Sequence, residues 1–373
     1  LSYTPVVKIS DFDYTLPPER IAQQPLKVRD QSRLLVIDRS KKELSHRRFF
    51  ELPQLLKSGD VLVINDTKVL PTRLKTYKST GGQVEVLLTK KLTSNASDHK
   101  VKWECLSKPG LKINQTVFIG QDKQKLTITC LRTDGYRRVV ELTSPIEKTQ
   151  LTVMELIKKY GQMPTPPYIK SFSGDPDRYQ TIYAKHEGSA AAPTAGLHFT
   201  NQLKKELSNT NIKIVPITLT VGLGTFFRVT QENINRQVLH SEEFTISKSQ
   251  AEIINLAIRE NRRIIAVGTT SLRALESAAE FDNVSGRYLV RPSNQETEIF
   301  IFPPYKFKIS TGLITNFHLP QSSLLMLVSA FISRPNTEQP FINFQESLLG
   351  KAYQEAIQQK YRFYSFGDAM LIE

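Results

Sequence analysis

The sequence predicts an α/β protein: a mainly parallel sheet with helices on its faces, interrupted by a small closed β barrel or sandwich. Three observations carry this. "RLLVIDR" (Arg33 to Arg39) and "DVLVIND" (Asp60 to Asp66) are continuous apolar runs of strand length, the signature of strands buried on both faces. From Leu70 to Ser144 the pattern changes to short β-branched and aromatic runs with no helical period. Beyond residue 150 helical and strand signals alternate, which is the rhythm of parallel β-α-β units.

Taken in order, "DFDYTLPPERIAQQP" is a proline-punctuated opening, and "RRFFELPQLLKSGD" between the first two strands reads as an interrupted helix. The inserted β region comprises "VLPTRLKT", "GGQVEVLLTKKL", "KVKWECLSKP", "QTVFIG", "KLTITCLRTD" and "YRRVVELTS". "TVMELIKKYG" is a helix that stops at glycine, and a Pro-rich loop follows. Then come "TNQLKKELSN", "IKIVPITLTVG", "SQAEIINLAIRENR", "RIIAVG", "TSLRALESAAE", "TEIFIFP", an apolar helix from Ser322 and "FQESLLGKAYQEAIQQKY". These place a main domain at 1–69 and 151–373 and an inserted barrel at 70–150.

At 373 residues the chain is long enough for two or three domains and a large core. Fifty Lys and Arg against 36 Asp and Glu give a net charge of +14, spread along the chain, which favours a polyanionic partner or an anionic membrane surface. The longest apolar run, Leu324 to Ile332, is far short of the roughly 20 residues of a spanning helix, so no membrane insertion is expected. Cys105 and Cys130 lie in strands without a CxxC pairing, which points to no zinc site and no disulfide framework. "LSYTPVVK" has neither an apolar signal core nor an Arg-rich amphipathic pattern, and a cytoplasmic location is expected.

Four segments hold the residues suited to chemistry. "RRIIAVGTTSLRALES" is a strand, a glycine turn and a helix start; Gly268, Thr269, Thr270 and Ser271 would present N–H groups and hydroxyls to an anion, with Arg273 in reserve. Ordinary helix capping explains the same hydroxyls. "ITLTVGLGTFFR" offers Gly222 and Gly224 for close approach, Phe226 or Phe227 for stacking on a heterocycle, and Arg228 for an anion; a turn with core aromatics is the plainer reading. "LITNFHLPQSSLLML" sets His318 where a core helix meets a loop, a place where histidines are mostly structural. "SAAAPTAGLHFT" surrounds His198 with residues of minimal bulk, and packing alone gives no reason for an imidazole there. From the residues alone this is a basic α/β enzyme or binder of undetermined substrate.

"FDYTLPPERIAQQP", "RDQSRLLVIDR", "GDVLVINDTKVLPTRL", "RYQTIYAKHEGSAAAPTAGLHFT", "LTVGLGTFFR", "VGTTSLRALES", "TEIFIFPPYKF", "LITNFHLPQSSLLMLVSAF" and "YRFYSFGDAMLI" resemble, in order and over nearly the whole chain, the S-adenosylmethionine:tRNA ribosyltransferase-isomerase family of queuosine biosynthesis. The resemblance implies a three-layer α/β/α main domain with an inserted β barrel. It also implies transfer of the ribosyl part of S-adenosylmethionine onto 7-aminomethyl-7-deazaguanine at a tRNA wobble position, with loss of adenine and methionine and formation of epoxyqueuosine.

On that footing His198 is expected to be the base that removes a proton beside the sulfonium, and His318 a second acid/base. Arg273 with Thr269, Thr270 and Ser271 would hold the methionine carboxylate or a tRNA phosphate. Asp66 and Glu276 would meet ribose hydroxyls, and Phe226 or Phe227, beside Gly222 and Gly224, the adenine. Arg47, Arg48, Lys90, Lys91, Arg137 and Arg138 are candidate phosphate contacts. No metal or further cofactor is expected beyond S-adenosylmethionine as co-substrate, and the protein is expected to act as a monomer. The chain departs from the family pattern at Glu187, where some members have proline, and at Gln321, where lysine is usual. An RNA methyltransferase and a non-catalytic RNA-binding protein are the rival readings.

Overall fold

A computed structural model describes residues 7–92, 99–119, 126–145, 150–222 and 229–373. The chain divides into two compact units, one of Leu1–Thr67, Pro166–Lys185 and Pro193–Glu373, the other of Lys68–Thr165 and His186–Ala192.

The first unit is built on a nine-stranded sheet in the order Ser293–Ile299, Val238–Ile246, Lys213–Leu219, Val61–Asn65, Ile264–Val267, Gly312–Asn316, Ala369–Ile372, Arg33–Asp38, Glu43–Arg48. Its centre is parallel: Val61–Asn65 lies between Lys213–Leu219 and Ile264–Val267, and Gly312–Asn316 continues beyond them. Both edges, and the strand Ala369–Ile372 against Gly312–Asn316, are antiparallel. The two apolar runs singled out in the sequence are strands of this sheet, as are "IKIVPITL" and "RIIAV".

Side chains alternate across each strand. Leu62, Ile64, Ile265, Val267 and Ile314 join Leu203 and Leu207 of the helix Asn201–Asn209 and Leu52 of Leu52–Leu55 in one core cluster. Val61, Val63, Ile264 and Ala266 point the other way and are equally buried, so a second helical layer is required there; Thr269–Ser277, packed against the central strands, belongs to it. The apolar helix Ser323–Phe331 starts as expected, with Ser322 Oγ accepting from the Leu325 N–H.

The second unit contains a closed barrel in the order Arg137–Thr143, Lys100–Lys108, Gln83–Lys91, Arg73–Lys78, Thr116–Ile119, Thr127–Asp134. All six sequence runs become its strands. Their alternation fills the interior with Leu74, Val84, Val86, Trp103, Val117, Ile128 and Val140. This unit closes later than the expected residue 150, because Val153, Leu156 and Ile157 of the helix Val153–Tyr160 supply apolar side chains to the barrel core. A short strand, His186–Ser189, also returns to it.

Candidate active site

Because Val61–Asn65, Ile264–Val267 and Gly312–Asn316 run parallel, their carboxyl ends deliver Asp66, Gly268 and Asn316 to the same edge of the sheet. Open α/β sheets bind ligands at that edge. Over it lies the turn Thr194–His198. Thr194 Oγ1 donates to Asn316 Oδ1 at 2.8 Å. A side chain on Gly268 would come within 3.7 Å of Ala195 Cβ, and one on Gly196 within 2.0 Å of the Tyr183 hydroxyl. Packing therefore explains the small residues: alanine and glycine let this turn lie against the strand end and an aromatic ring. Gly268, at φ 90°, sits in the left-handed half of conformational space that other residues avoid.

His198 is buried at the end of that turn. Its Nδ1 lies 2.8 Å from Ser32 Oγ, its Nε2 3.3 Å from Asn316 Nδ2, and its ring 5.0 Å from that of Phe49. The network fixes the tautomer. Asn316 Oδ1 takes the Thr194 hydroxyl proton, so its Nδ2 faces the imidazole as a donor; Nε2 must then accept, and Nδ1–H donates to Ser32. Burial pushes the pKa down to about 4; a hydrogen bond to the Arg29 main chain opposes this, and the guanidinium charges of Arg362 and Arg29 reinforce it. His198 is thus a neutral imidazole whose Nε2 lone pair, among the described residues, is met by the Asn316 amide at 3.3 Å.

His318 stands two residues beyond Asn316 and is also buried. Its Nε2 lies 2.8 Å from Thr315 Oγ1, its N–H donates to the Tyr353 hydroxyl at 2.8 Å, and its carbonyl accepts from Tyr14 at 2.5 Å. Burial pushes its pKa down to about 3. With both main-chain groups tied to tyrosines, His318 anchors the bend that leads into the helix Ser323–Phe331.

The expected anion site divides in two. The helix Thr269–Ser277 has no side-chain cap, which removes the capping explanation for its hydroxyls. Ser271 Oγ turns back to the Val267 carbonyl at 2.8 Å, Thr269 is buried, and Thr270 Oγ1 is buried without a partner. Arg273, by contrast, has a protein acceptor at each of its three nitrogens and spends four of its five N–H donors on them. Nε donates to Ile299 O at 3.1 Å, Nη1 to Glu242 Oε2 at 2.5 Å, and Nη2 to His240 O and Thr297 O, both at 3.0 Å. Its partner Glu242 also accepts the Gly222 N–H at 2.9 Å. Burial alone would push Glu242 up, yet His240 and Arg273 hold its carboxyl below the ordinary range.

Glu276 is likewise occupied. It accepts from the N–H groups of Lys308, Ile309 and Ser310 and from the Tyr305 hydroxyl, so it holds the chain at 305–310 where a ribose contact was expected. Asp66 Oδ1 accepts from Thr218 Oγ1 at 2.6 Å at the sheet edge. Gly224, Phe226 and Phe227 lie outside the described residues. Among the candidate phosphate contacts, Arg138 is bound to the carbonyls of Leu111, Gly135 and Arg137, which makes it a brace for its own hairpin. Sequence reasoning missed Ser32 and Asn316. A polar residue closing an apolar strand, "GLITN" like "VLVIND", was the available signal for the second.

Comparison with known proteins agrees with this architecture. Residues 9–372 match the family described as Queuosine biosynthesis protein. The chain is 47% identical over 369 residues to the S-adenosylmethionine:tRNA ribosyltransferase-isomerase of Desulforamulus reducens, covering 98% of this chain and 100% of that one. It is 46% identical over 372 residues, with the same coverage, to the protein of that name from Moorella thermoacetica. It is also similar to the crystal structure of S-adenosylmethionine tRNA ribosyltransferase from Thermotoga maritima, at 32% identity and a TM-score of 0.50, covering 98% of this chain and 100% of that one. With the match running from end to end and the strand-edge histidine site inside it, this chain belongs to the queuosine biosynthesis protein family.

Proposed function

We propose that the protein is an S-adenosylmethionine:tRNA ribosyltransferase-isomerase. It moves the ribosyl part of S-adenosylmethionine onto 7-aminomethyl-7-deazaguanine at a tRNA wobble position and rearranges it to the epoxycyclopentanediol of epoxyqueuosine. The observation that carries this reading is the near-full-length identity to curated relatives of that name.

The chemistry asks for a base. The sulfonium acidifies the hydrogens of the adjacent ribose 5′ carbon, and removing one leaves a carbon nucleophile. His198 suits the task because it is neutral and its Nε2 lone pair is directed at a displaceable amide, Asn316. The proton passes from the 5′ carbon to Nε2 while Nδ1–H stays on Ser32, which orients the ring before and after transfer. The uncapped N–H groups and the Thr270 hydroxyl at the start of Thr269–Ser277 supply donors for an anionic or hydroxyl group of the substrate. His318 acts on the reaction through the fold it anchors.

The partner is tRNA carrying the aminomethyl-deazaguanine, met by a chain of net charge +14, and the protein acts as a cytoplasmic monomer. No helix of the described residues is long and apolar enough to cross a membrane. The test is to incubate protein, S-adenosylmethionine and such a tRNA and weigh the products. Epoxyqueuosine with free adenine and methionine is expected. S-adenosylhomocysteine would instead mark a methyltransferase, and unchanged substrates a binding protein.

A further inference from the structure

The segment "YRFYSFGD" near the C-terminus has so far entered the site only through the charge of Arg362. It folds into a tight turn closed by Asp368, whose carboxylate accepts the N–H groups of Arg33 at 2.9 Å and Arg362 at 2.8 Å and pairs with the Arg33 guanidinium at 3.3 Å. Phe363 is held on both sides, its N–H on Arg20 O at 2.8 Å and its carbonyl by the Ala22 N–H at 3.2 Å. Tyr364 takes φ 69°, a conformation that a bulky side chain adopts only where its surroundings impose it. The backbone carrying Arg362 is therefore fixed.

The Arg362 guanidinium itself is incompletely matched. Nη2 donates to the Gln24 carbonyl, whereas Nη1 is buried with no acceptor. Asp368, the carboxylate closest in sequence, is already engaged by Arg33, and among the described residues no carboxylate forms an ion pair with Arg362. A buried donor of a charged group left unpaired is costly, and such groups in folded proteins usually meet something further. Arg273, the arginine expected to hold an anion, has every guanidinium nitrogen engaged by a protein acceptor, unlike Arg362.

We propose that Arg362 Nη1 donates to an oxyanion oxygen of the substrate, a carboxylate or a phosphate. The inference rests on the ribosyl-transfer reading, which provides two such oxyanions: the amino-acid carboxylate of S-adenosylmethionine and a tRNA phosphate. Planar guanidinium N–H groups suit either. An anion seated there also offsets the positive charge that opposes protonation of His198, so the imidazole becomes a stronger base once substrate is in place.

The test is equilibrium binding of S-adenosylmethionine and, separately, of tRNA to the full chain and to Arg362→Met and Arg362→Lys, with thermal unfolding followed in parallel. Arg362→Met should weaken one ligand about 10- to 100-fold, and Arg362→Lys, which keeps the charge and loses the fork, by less. Weaker S-adenosylmethionine binding with unchanged tRNA affinity identifies the carboxylate. Weaker tRNA binding, with a salt slope reduced by about 0.7 to 0.9, identifies the phosphate. If Arg362→Met does not fold, Arg362→Lys decides by the same comparison. Unchanged affinity for both ligands overturns the Arg362 site, whereas a wild-type protein that binds neither ligand overturns the ribosyl-transfer reading instead.

Discussion

Two buried polar regions of the main sheet unit differ in how completely their groups are matched. Around Arg273 each guanidinium nitrogen, each Glu242 oxygen and each Glu276 oxygen has a protein partner within hydrogen-bond reach. Around His198 the imidazole lone pair is met at 3.3 Å by an amide, the Thr270 hydroxyl has no partner, and one Arg362 nitrogen is unmatched. Both regions are buried and both carry charge. The difference teaches that burial and charge mark structure as readily as function; groups left with capacity to bind point to a ligand. In this chain such capacity lies near the carboxyl ends of the parallel strands, whereas the network around Arg273 pairs its charged atoms and leaves only His240 Nε2 and Ser310 Oγ without a hydrogen bond among its described residues.

The contrast is open to attack, beginning where the expected effect is largest. His198→Gln should lower turnover by about 10²- to 10⁴-fold with tRNA affinity nearly unchanged; product formation at the wild-type rate, read by mass spectrometry, removes His198 from the mechanism. Arg273→Met leaves Glu242 buried without its cation and should lower stability by about 3 to 5 kcal/mol in urea unfolding. Adding Glu242→Leu should recover much of that, and the folded fraction should keep its KM for S-adenosylmethionine. A large rise in KM would mean that Arg273 touches substrate after all.

Acid sharpens the comparison next. His198 is held near 4 and ordinarily titrates near 6.5. Between those values the unfolded chain takes up a proton that the folded chain refuses, so its contribution is complete above about pH 6.5 and declines as the pH falls towards 4. The loss amounts to about 3 kcal/mol, and His318, held lower still, adds its own. Urea unfolding at pH 7, 6 and 5 checks this, and His318→Gln should flatten the dependence.

Smaller effects follow. Asn316→Ala should cost about 1 to 3 kcal/mol by stranding the Thr194 hydroxyl and the His198 lone pair. Asn316→Asp should raise the His198 pKa by about 1 to 3 units, visible by NMR titration. Thr270→Val removes a hydroxyl that has no protein partner, so stability should change by no more than about 0.5 kcal/mol while the KM for S-adenosylmethionine rises. A marked loss of stability would show that the hydroxyl serves the fold.

The legible parts of the molecule were those whose physics is local. "RLLVIDR" and "DVLVIND" read as central strands because burial on both faces leaves no polar positions, and the barrel was visible because its strands alternate. The strand Val238–Ile246, "VLHSEEFTI", went unread because it lies near the antiparallel edge, where much of its length meets solvent. Arg273 looked like an anion fork because its carboxylate partner is 31 residues distant, and His198 showed nothing of Asn316, 118 residues away. A string of residues displays charge and bulk; which donors are already occupied is decided by tertiary pairing.

The placement of Val61–Asn65 has a consequence for how the protein is made. Its two neighbours in the sheet are Lys213–Leu219 and Ile264–Val267, so this strand leaves the ribosome long before either partner exists. The barrel strands, by contrast, find each other within 73–143. Short loop closures are the faster ones. Vectorial synthesis should therefore yield a finished barrel while the strand preceding it still waits, apolar on both faces and unpaired, which makes that stretch a natural client for a chaperone until translation has passed residue 267.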